Sequence, residues 1–279
     1  MDIDDILASV DRGAGASSAS TAIDHQLLTR FWVAERAVSE VLPWPTALME
    51  RMMDRVRWQI ETIEDLAASS SDAPDPSSKS NNATLNLRLS ILQTDLARTQ
   101  FLIRSVLRTR LAKLSKHSMH YLVLLSSRST NPSATQSQTQ PSQSSMDTST
   151  ATNTRPEDSV PDISSVTDLS PLSEAEAQFL HTHQSLLASH YAGSFMGAFP
   201  MNLRRLDDNA GGTSMVQGPE NREVVFVRCL GGEVPVIVAA AAAEEDAIDI
   251  GVTMRMGDVW VVRWEGVRDA WERGEVELL

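Results

Sequence analysis

One cysteine, Cys229, stands in the whole chain, and it sits inside an apolar run. A disulfide framework is therefore impossible, cysteine-based zinc sites are excluded, and a reducing compartment is the natural setting. Long hydrophobic runs are missing too. The longest, VPVIVAAAAA at 234–243, falls short of the roughly 18 apolar residues a membrane span needs. The start of the sequence is acidic where a secretory leader would be basic, so the chain reads as soluble and intracellular. Nucleotide and ester chemistry leave no signature: no GxxxxGK[ST] and no GxSxG occurs, and GAGASS at 13–18 lacks the preceding strand and following helix of a dinucleotide site. Positive charge is also in deficit. The net charge is −13 with a sequence pI near 4.9, which argues against a free-standing nucleic-acid binder, because phosphate contacts need clustered cations.

What is present is mostly helical pattern. Residues 22–42 carry Leu27, Leu28, Phe31, Trp32, Val38, Val41 and Leu42 at helical steps, and Pro43-Trp44-Pro45 ends that run. Pro45 suits the first position of a second helix reaching about residue 66. Its expected buried face is Met49, Met52, Met53, Val56, Ile60 and Ile63. A long third pattern covers 83–125, with a weak point at Ser115-Lys-His-Ser. Leu172 then precedes Ser173 and Glu176, the spacing of a capping box, so a helix is expected over 173–194 with Phe179, Leu180, His183, Leu187 and Tyr191 inward. Between these lies 126–171, rich in Ser, Thr, Gln, Asn and Pro. So few apolar groups cannot offset the ordering entropy, and the segment reads as disordered.

After residue 212 the period changes. EVVFVRCL (223–230) reads as a buried strand, VPVIV (234–238) as an edge strand because of Pro235, AIDIGVTM (247–254) as an alternating antiparallel strand, and GDVWVVRW (257–264) as another. A short helix and a final strand VELL follow. The fold class is α+β, an N-terminal all-α domain followed by a small C-terminal β-rich domain. Its expected divisions are a tail at 1–21, a helical domain at 22–197 interrupted by 126–171, a linker at 198–212 and a β-rich domain at 213–279. That last part is too short for a thick core and is expected to dock on something.

Chemistry-bearing residues are few. His117 and His120 share a helix without an acid to complete a metal site, His181 and His183 point different ways, and His183 lies on an apolar stripe. Between Leu96 and Arg128 stand Arg98, Arg104, Arg108, Arg110, Lys113, Lys116 and Arg128 with no acid among them. This local reversal of sign fits an acidic protein partner or a solvated helix face. Direct DNA contact is the weaker reading, because no aromatic base-reading element accompanies the stripe in sequence. Trp44, Trp58, Trp260, Trp264 and Trp271 are candidate interface anchors or core. Trp260 and Trp264, four apart on what reads as one strand, favour core.

The first eleven residues, MDIDDILASVD, form a short amphipathic helix pattern with Ile3, Ile6, Leu7 and Val10 on one side. Alone it is too short to hold its shape, so it needs a surface to fold on.

Taken together, LPWP (42–45), LSILQTDLARTQFLIRSVLRTRLAKLSKH (89–117), LSEAEAQFLHTHQSLLASHY (172–191), LRRLDD (203–208) and GDVWVVRW (257–264) resemble the SLD-type fourth subunit of the eukaryotic GINS complex, in its fungal form. The resemblance implies a helical domain followed by a small β domain, no catalytic site, no cofactor and no bound metal. It implies a nuclear replication protein in a heterotetramer with three other GINS subunits, bound to the MCM ring and its Cdc partner in the replicative helicase. DNA contact would be indirect or weak, and membrane contact is not implied. GINS subunits pack through long helices, which makes Leu96, Ile103, Leu107, Arg104, Arg108 and Leu111 subunit-interface candidates, with Trp260 and Trp264 in the small domain. In fungal members a short acidic-acidic-Ile-Leu motif binds a trimeric replisome adaptor, and here Asp4, Asp5, Ile6 and Leu7 match it. The competing reading is a helical nucleic-acid-binding module acting through residues 98–116.

Overall fold

Helical periodicity sets most of the architecture. The computed structural model describes residues 18–71, 79–129, 160–163, 166, 168–200, 204, 216–238 and 250–279. Its helices are α1 (Ser18–Ala37), α2 (Thr46–Ser71), α3 (Lys79–Lys116), α4 (Ser118–Ser129) and α5 (Glu174–Ser194). A small C-terminal part follows as β1 (Val224–Cys229), β2 (Glu233–Val238), β3 (Ile250–Arg255), β4 (Val259–Arg263), α6 (Trp264–Glu272) and β5 (Val276–Leu278). The α+β class and the order of its two halves are as the sequence implies. The weak point after residue 115 is a real break, since α3 ends at Lys116 and α4 starts at Ser118.

Contacts divide the chain into two compact units. The first comprises residues up to Glu40 together with Pro45–Arg110 and Asn221–Leu279. The second comprises Val41–Trp44 and Leu111–Glu220.

In the first unit α1, α2 and most of α3 pair their apolar stripes. Leu28, Phe31 and Ala34 of α1, Met49, Met52 and Val56 of α2, and Leu92, Leu102 and Val106 of α3 are buried. Met53 and Ile60, expected inward on α2, are more than a third exposed. The helix turns its opposite flank inward, where a polar seam forms. Asp95 of α3 accepts from Arg55 at 3.1 Å and from the buried Gln59 at 2.5 Å. A second polar contact is deeper: Arg110 Nη1 of α3 meets Glu35 Oε2 of α1 at 3.0 Å, and neither side chain is exposed.

The same unit holds the small β part. Its three-stranded antiparallel sheet runs β4-β1-β5, and β2 pairs with β3 in a separate two-stranded ladder. Val225, Val227 and Cys229 of β1 and Val262 of β4 are buried, as are Trp264, Val267 and Ala270 of α6. Burial raises the thiol pKa of Cys229 above its ordinary value, and nearby Asp258 and Glu275 push the same way. Gly257 sits at φ +90° in the turn between β3 and β4, a conformation that costs glycine least. Part of this layer is held by its own chain. Glu40, just past α1, accepts from Trp264 Nε1 at 3.0 Å and pairs with Arg268 at 3.0 Å, while Arg30 of α1 holds Glu277 of β5 at 2.8 Å.

The second unit is built on α4 and α5. Leu122 and Leu125 of α4, Leu114, Tyr121, Leu172, Ala177, Leu180 and Val41 form one buried cluster. The capping box at the start of α5 is complete: Ser173 Oγ accepts from the Glu176 N–H, and Glu176 returns a bond to the Ser173 N–H. Two expectations change here. The buried face of α5 is Glu176, Ala177, Leu180, Gln184 and Ala188, and Phe179 is 41% exposed. Gln184 displaces bulkier groups because it accepts from the Ser118 hydroxyl at 3.0 Å. The segment read as disordered also contributes structure at both ends. Residues 126–129 belong to α4, and Val160, Ile163 and Leu169 pack on the buried cluster. Trp44 N–H donates to Pro171 O at 3.1 Å, and Arg128 Nη1 donates to Ser170 O and pairs with Asp168 at 3.6 Å.

Candidate protein interface

The long helix offers the main candidate. Along α3, within the first unit, the exposed side chains Leu87, Arg98, Phe101, Arg104 and Arg108 fall within one arc at 100° per residue. Leu87 and Phe101 are 42% and 59% exposed; Leu111, 37% exposed, belongs to the second unit. Apolar groups this open, arranged in a line and rimmed by charge, mark interaction surfaces more often than scattered ones do.

The cationic stripe is narrower than the sequence implies. Arg110 is spent in the buried pair with Glu35 and Arg128 on Asp168. Arg104 donates to Gln100 at 3.1 Å, one turn back on the same helix. Arg98, Arg104 and Arg108 make no ion pair among the described residues. Phe101 stands within the stripe, and α1 adds a second aromatic beside it. Trp32 meets Phe101 edge-on with ring centroids 6.4 Å apart, and the Arg36 guanidinium lies 5.0 Å over the Trp32 ring. Stacking of that kind fixes the orientation of a tryptophan at a surface. The result is an arginine-rich, aromatic-bearing face on an acidic chain, suited to a partner with carboxylates around apolar side chains.

The remaining candidates divide. Leu96 and Leu107 are half-buried on α3, turned away from the exposed arc. Ile103 is buried, so it serves the chain's own core and is no part of this surface. Trp264 is likewise buried, stacked edge-on against Trp271 at 5.9 Å. It does not share a strand with Trp260, because the chain turns into α6 at Trp264. Trp260 stays half-buried in β4. Asp4, Asp5, Ile6 and Leu7 lie outside the described residues. The histidines have structural surroundings: His117 Nδ1 is 3.0 Å from Gln217 O, His183 stacks on Phe179 at 5.6 Å, and a Cβ added to Gly218 would stand 3.0 Å from the His120 ring.

Sequence reasoning passed over Leu87, Phe101, Trp32 and Arg36 as surface groups. The signal for Leu87 and Phe101 is that their 100° positions fall opposite Leu92, Ile103 and Val106. No local signal pairs Trp32 with Phe101, since they are far apart in the chain.

The structure thus combines helices that bear an aromatic and arginine face with a small sheet, an α+β protein. Comparison with known proteins narrows this. Residues 58–195 match the family described as GINS complex protein helical bundle domain, and residues 219–279 match DNA replication complex GINS protein SLD5 C-terminus. A relative from Chaetomium globosum, named DNA replication complex GINS protein SLD5, is 34% identical over the full length of both chains. Proteins of the same name from Yarrowia lipolytica and Schizosaccharomyces pombe are 29% and 27% identical, covering 92% of this chain and 76% and 92% of their own. The chain belongs to the SLD5 family of GINS proteins.

Proposed function

We propose that the chain is a non-enzymatic scaffold subunit of a nuclear GINS heterotetramer, working within the replicative helicase with the MCM ring and its Cdc partner. Its relatives are named as DNA replication complex proteins, and the observation that carries the reading is the open face of α3. Leu87 and Phe101 stay exposed beside three arginines, and a sister subunit with an acidic-rimmed helix would cover them. Co-expression with three sister GINS subunits tests this. A stable one-to-one-to-one-to-one complex is expected, and Phe101→Asp with Leu87→Asp should prevent its assembly while leaving the far-ultraviolet helix signal intact. Normal assembly of that variant would remove the face from the interface.

A second contact is proposed for Asp4, Asp5, Ile6 and Leu7. An amphipathic turn with acids at its N-terminus suits a groove on a trimeric replisome adaptor. Ile6→Ala with Leu7→Ala should abolish adaptor pull-down by the assembled tetramer without disturbing the tetramer. The competing reading through residues 98–116 calls for salt-dependent oligonucleotide binding by the chain, lost on charge reversal of Arg104 and Arg108.

A further inference from the structure

Ser170-Pro171 is the one Ser-Pro or Thr-Pro step in the sequence. It lies in a turn in front of α5, closed by the Leu172 N–H donating to Leu169 O at 2.8 Å. The turn is docked: Trp44 N–H donates to Pro171 O at 3.1 Å, and Leu172 is buried in the second unit's cluster. Ser170 itself is exposed. Its N–H donates to Asp168 Oδ1 at 3.0 Å, and its carbonyl accepts from Arg128 Nη1. Its hydroxyl makes no hydrogen bond to a described residue.

An arginine stands beside that open hydroxyl. Arg128 lies in the last turn of α4. Its Nη1 serves Ser170 O, while Nε and Nη2 bond to no described residue. Its carboxylate partner, Asp168, is 71% exposed and 3.6 Å away, too far for a hydrogen bond. A pair held so loosely in water contributes little. A phosphoryl group on Ser170 Oγ would bring a charge of about −1.5 to −2 and acceptor oxygens, next to a guanidinium already fixed at the same residue's carbonyl. Arginine takes such a group through two parallel bonds.

We propose that Ser170 is a phosphoacceptor for a proline-directed protein kinase, and that Arg128 receives the phosphate and tightens the 168–172 turn on α4. In the transfer, Ser170 Oγ bonds to the γ-phosphorus of ATP. The bond from that phosphorus to the β–γ bridging oxygen breaks, ADP leaves, and the hydroxyl proton passes to the kinase's base. A kinase reads its acceptor in an extended chain, so modification takes a local opening of the turn, and the phosphate locks the turn on reclosure. Arg128 then exchanges Asp168, which the new charge repels, for the phosphoryl oxygens. The clasp lies wholly within the second unit and is independent of the chain's partners.

The test uses the full chain, treated with a cyclin-dependent kinase and ATP and mapped by mass for phosphate at Ser170. Amide exchange at Trp44 and Leu172 reports the clasp, since both N–H groups bond to the turn. Phosphorylation should slow both about fivefold. Arg128 is 39% exposed, so Arg128→Gln should keep the far-ultraviolet helix signal and still take up phosphate, but the slowing should vanish. Arg128→Lys keeps the charge without the fork of donors and should retain only part of the slowing. Absence of phosphate at Ser170 in the parent chain overturns the proposal. So does exchange that is unchanged or faster once the phosphate is there, or slowing undiminished in either arginine variant.

Discussion

Glu35 and Arg110 meet with no exposed surface between them, and the energetics of such pairs are asymmetric. Removing one partner leaves a buried charge uncompensated, which costs about 3–5 kcal/mol, whereas replacing both with apolar groups is often neutral. Arg110→Met should therefore lower the urea midpoint sharply, and Glu35→Leu with Arg110→Met should recover most of the loss. Arg110 stands at the same 100° position as Leu92, in the buried stripe of α3, so its burial was legible in the sequence. Its partner was not, because nothing local links residue 35 to residue 110. A second residue-scale prediction concerns acid. The Arg273 guanidinium, 2.8 Å from the Glu275 carboxylate, holds that carboxyl below its ordinary value, chiefly through the hydrogen bond. A carboxyl depressed in the folded state stabilises the fold above its unfolded pKa of about 4.3 and loses that contribution as pH falls through the lower folded value. Arg273→Ala should raise the Glu275 titration midpoint, read by nuclear magnetic resonance, and remove this part of the acid-side slope.

Among elements, α5 was the most readable. Ser173 and Glu176 announce its start, and both reciprocal bonds form. Ser173→Ala should cost about 1 kcal/mol in chemical denaturation. The strand β1 was readable only in part. Its run of apolar residues fits burial on two faces, yet exposure alternates along it, so one side alone is covered. The segment before α5 was misread for a compositional reason. Val160, Ile163, Val166 and Leu169 recur every third residue, but proline, aspartate, serine and threonine fill the gaps and the neighbouring sequence dilutes the pattern. Val160, Ile163 and Leu169 are partly buried on the second unit's cluster, so Ile163→Ala with Leu169→Ala should destabilise by about 2 kcal/mol or more. A variant with unchanged thermal midpoint would show that the packing contributes nothing.

On the scale of the whole molecule, sequence order conceals which parts belong together. In sequence the small sheet follows the helical elements, apart from them. Its unit instead includes α1, α2 and most of α3, because α1 offers Arg30 to Glu277, and Glu40 just beyond it serves Trp264 and Arg268. Such joining is invisible to periodicity, which reports only faces and never partners. Glu40→Ala leaves the Trp264 N–H without its acceptor, at a cost of about 1–3 kcal/mol, and should shift tryptophan emission to the red at lower urea than in the parent. The attachment of β5 to α1 also has a bearing on synthesis. A ribosome releases α1 early and β5 last among the described elements, so the nascent helix waits through most of translation with its docking side bare. A premature stop just before Val276 would deny it that strand permanently, and with it the Arg30–Glu277 pair.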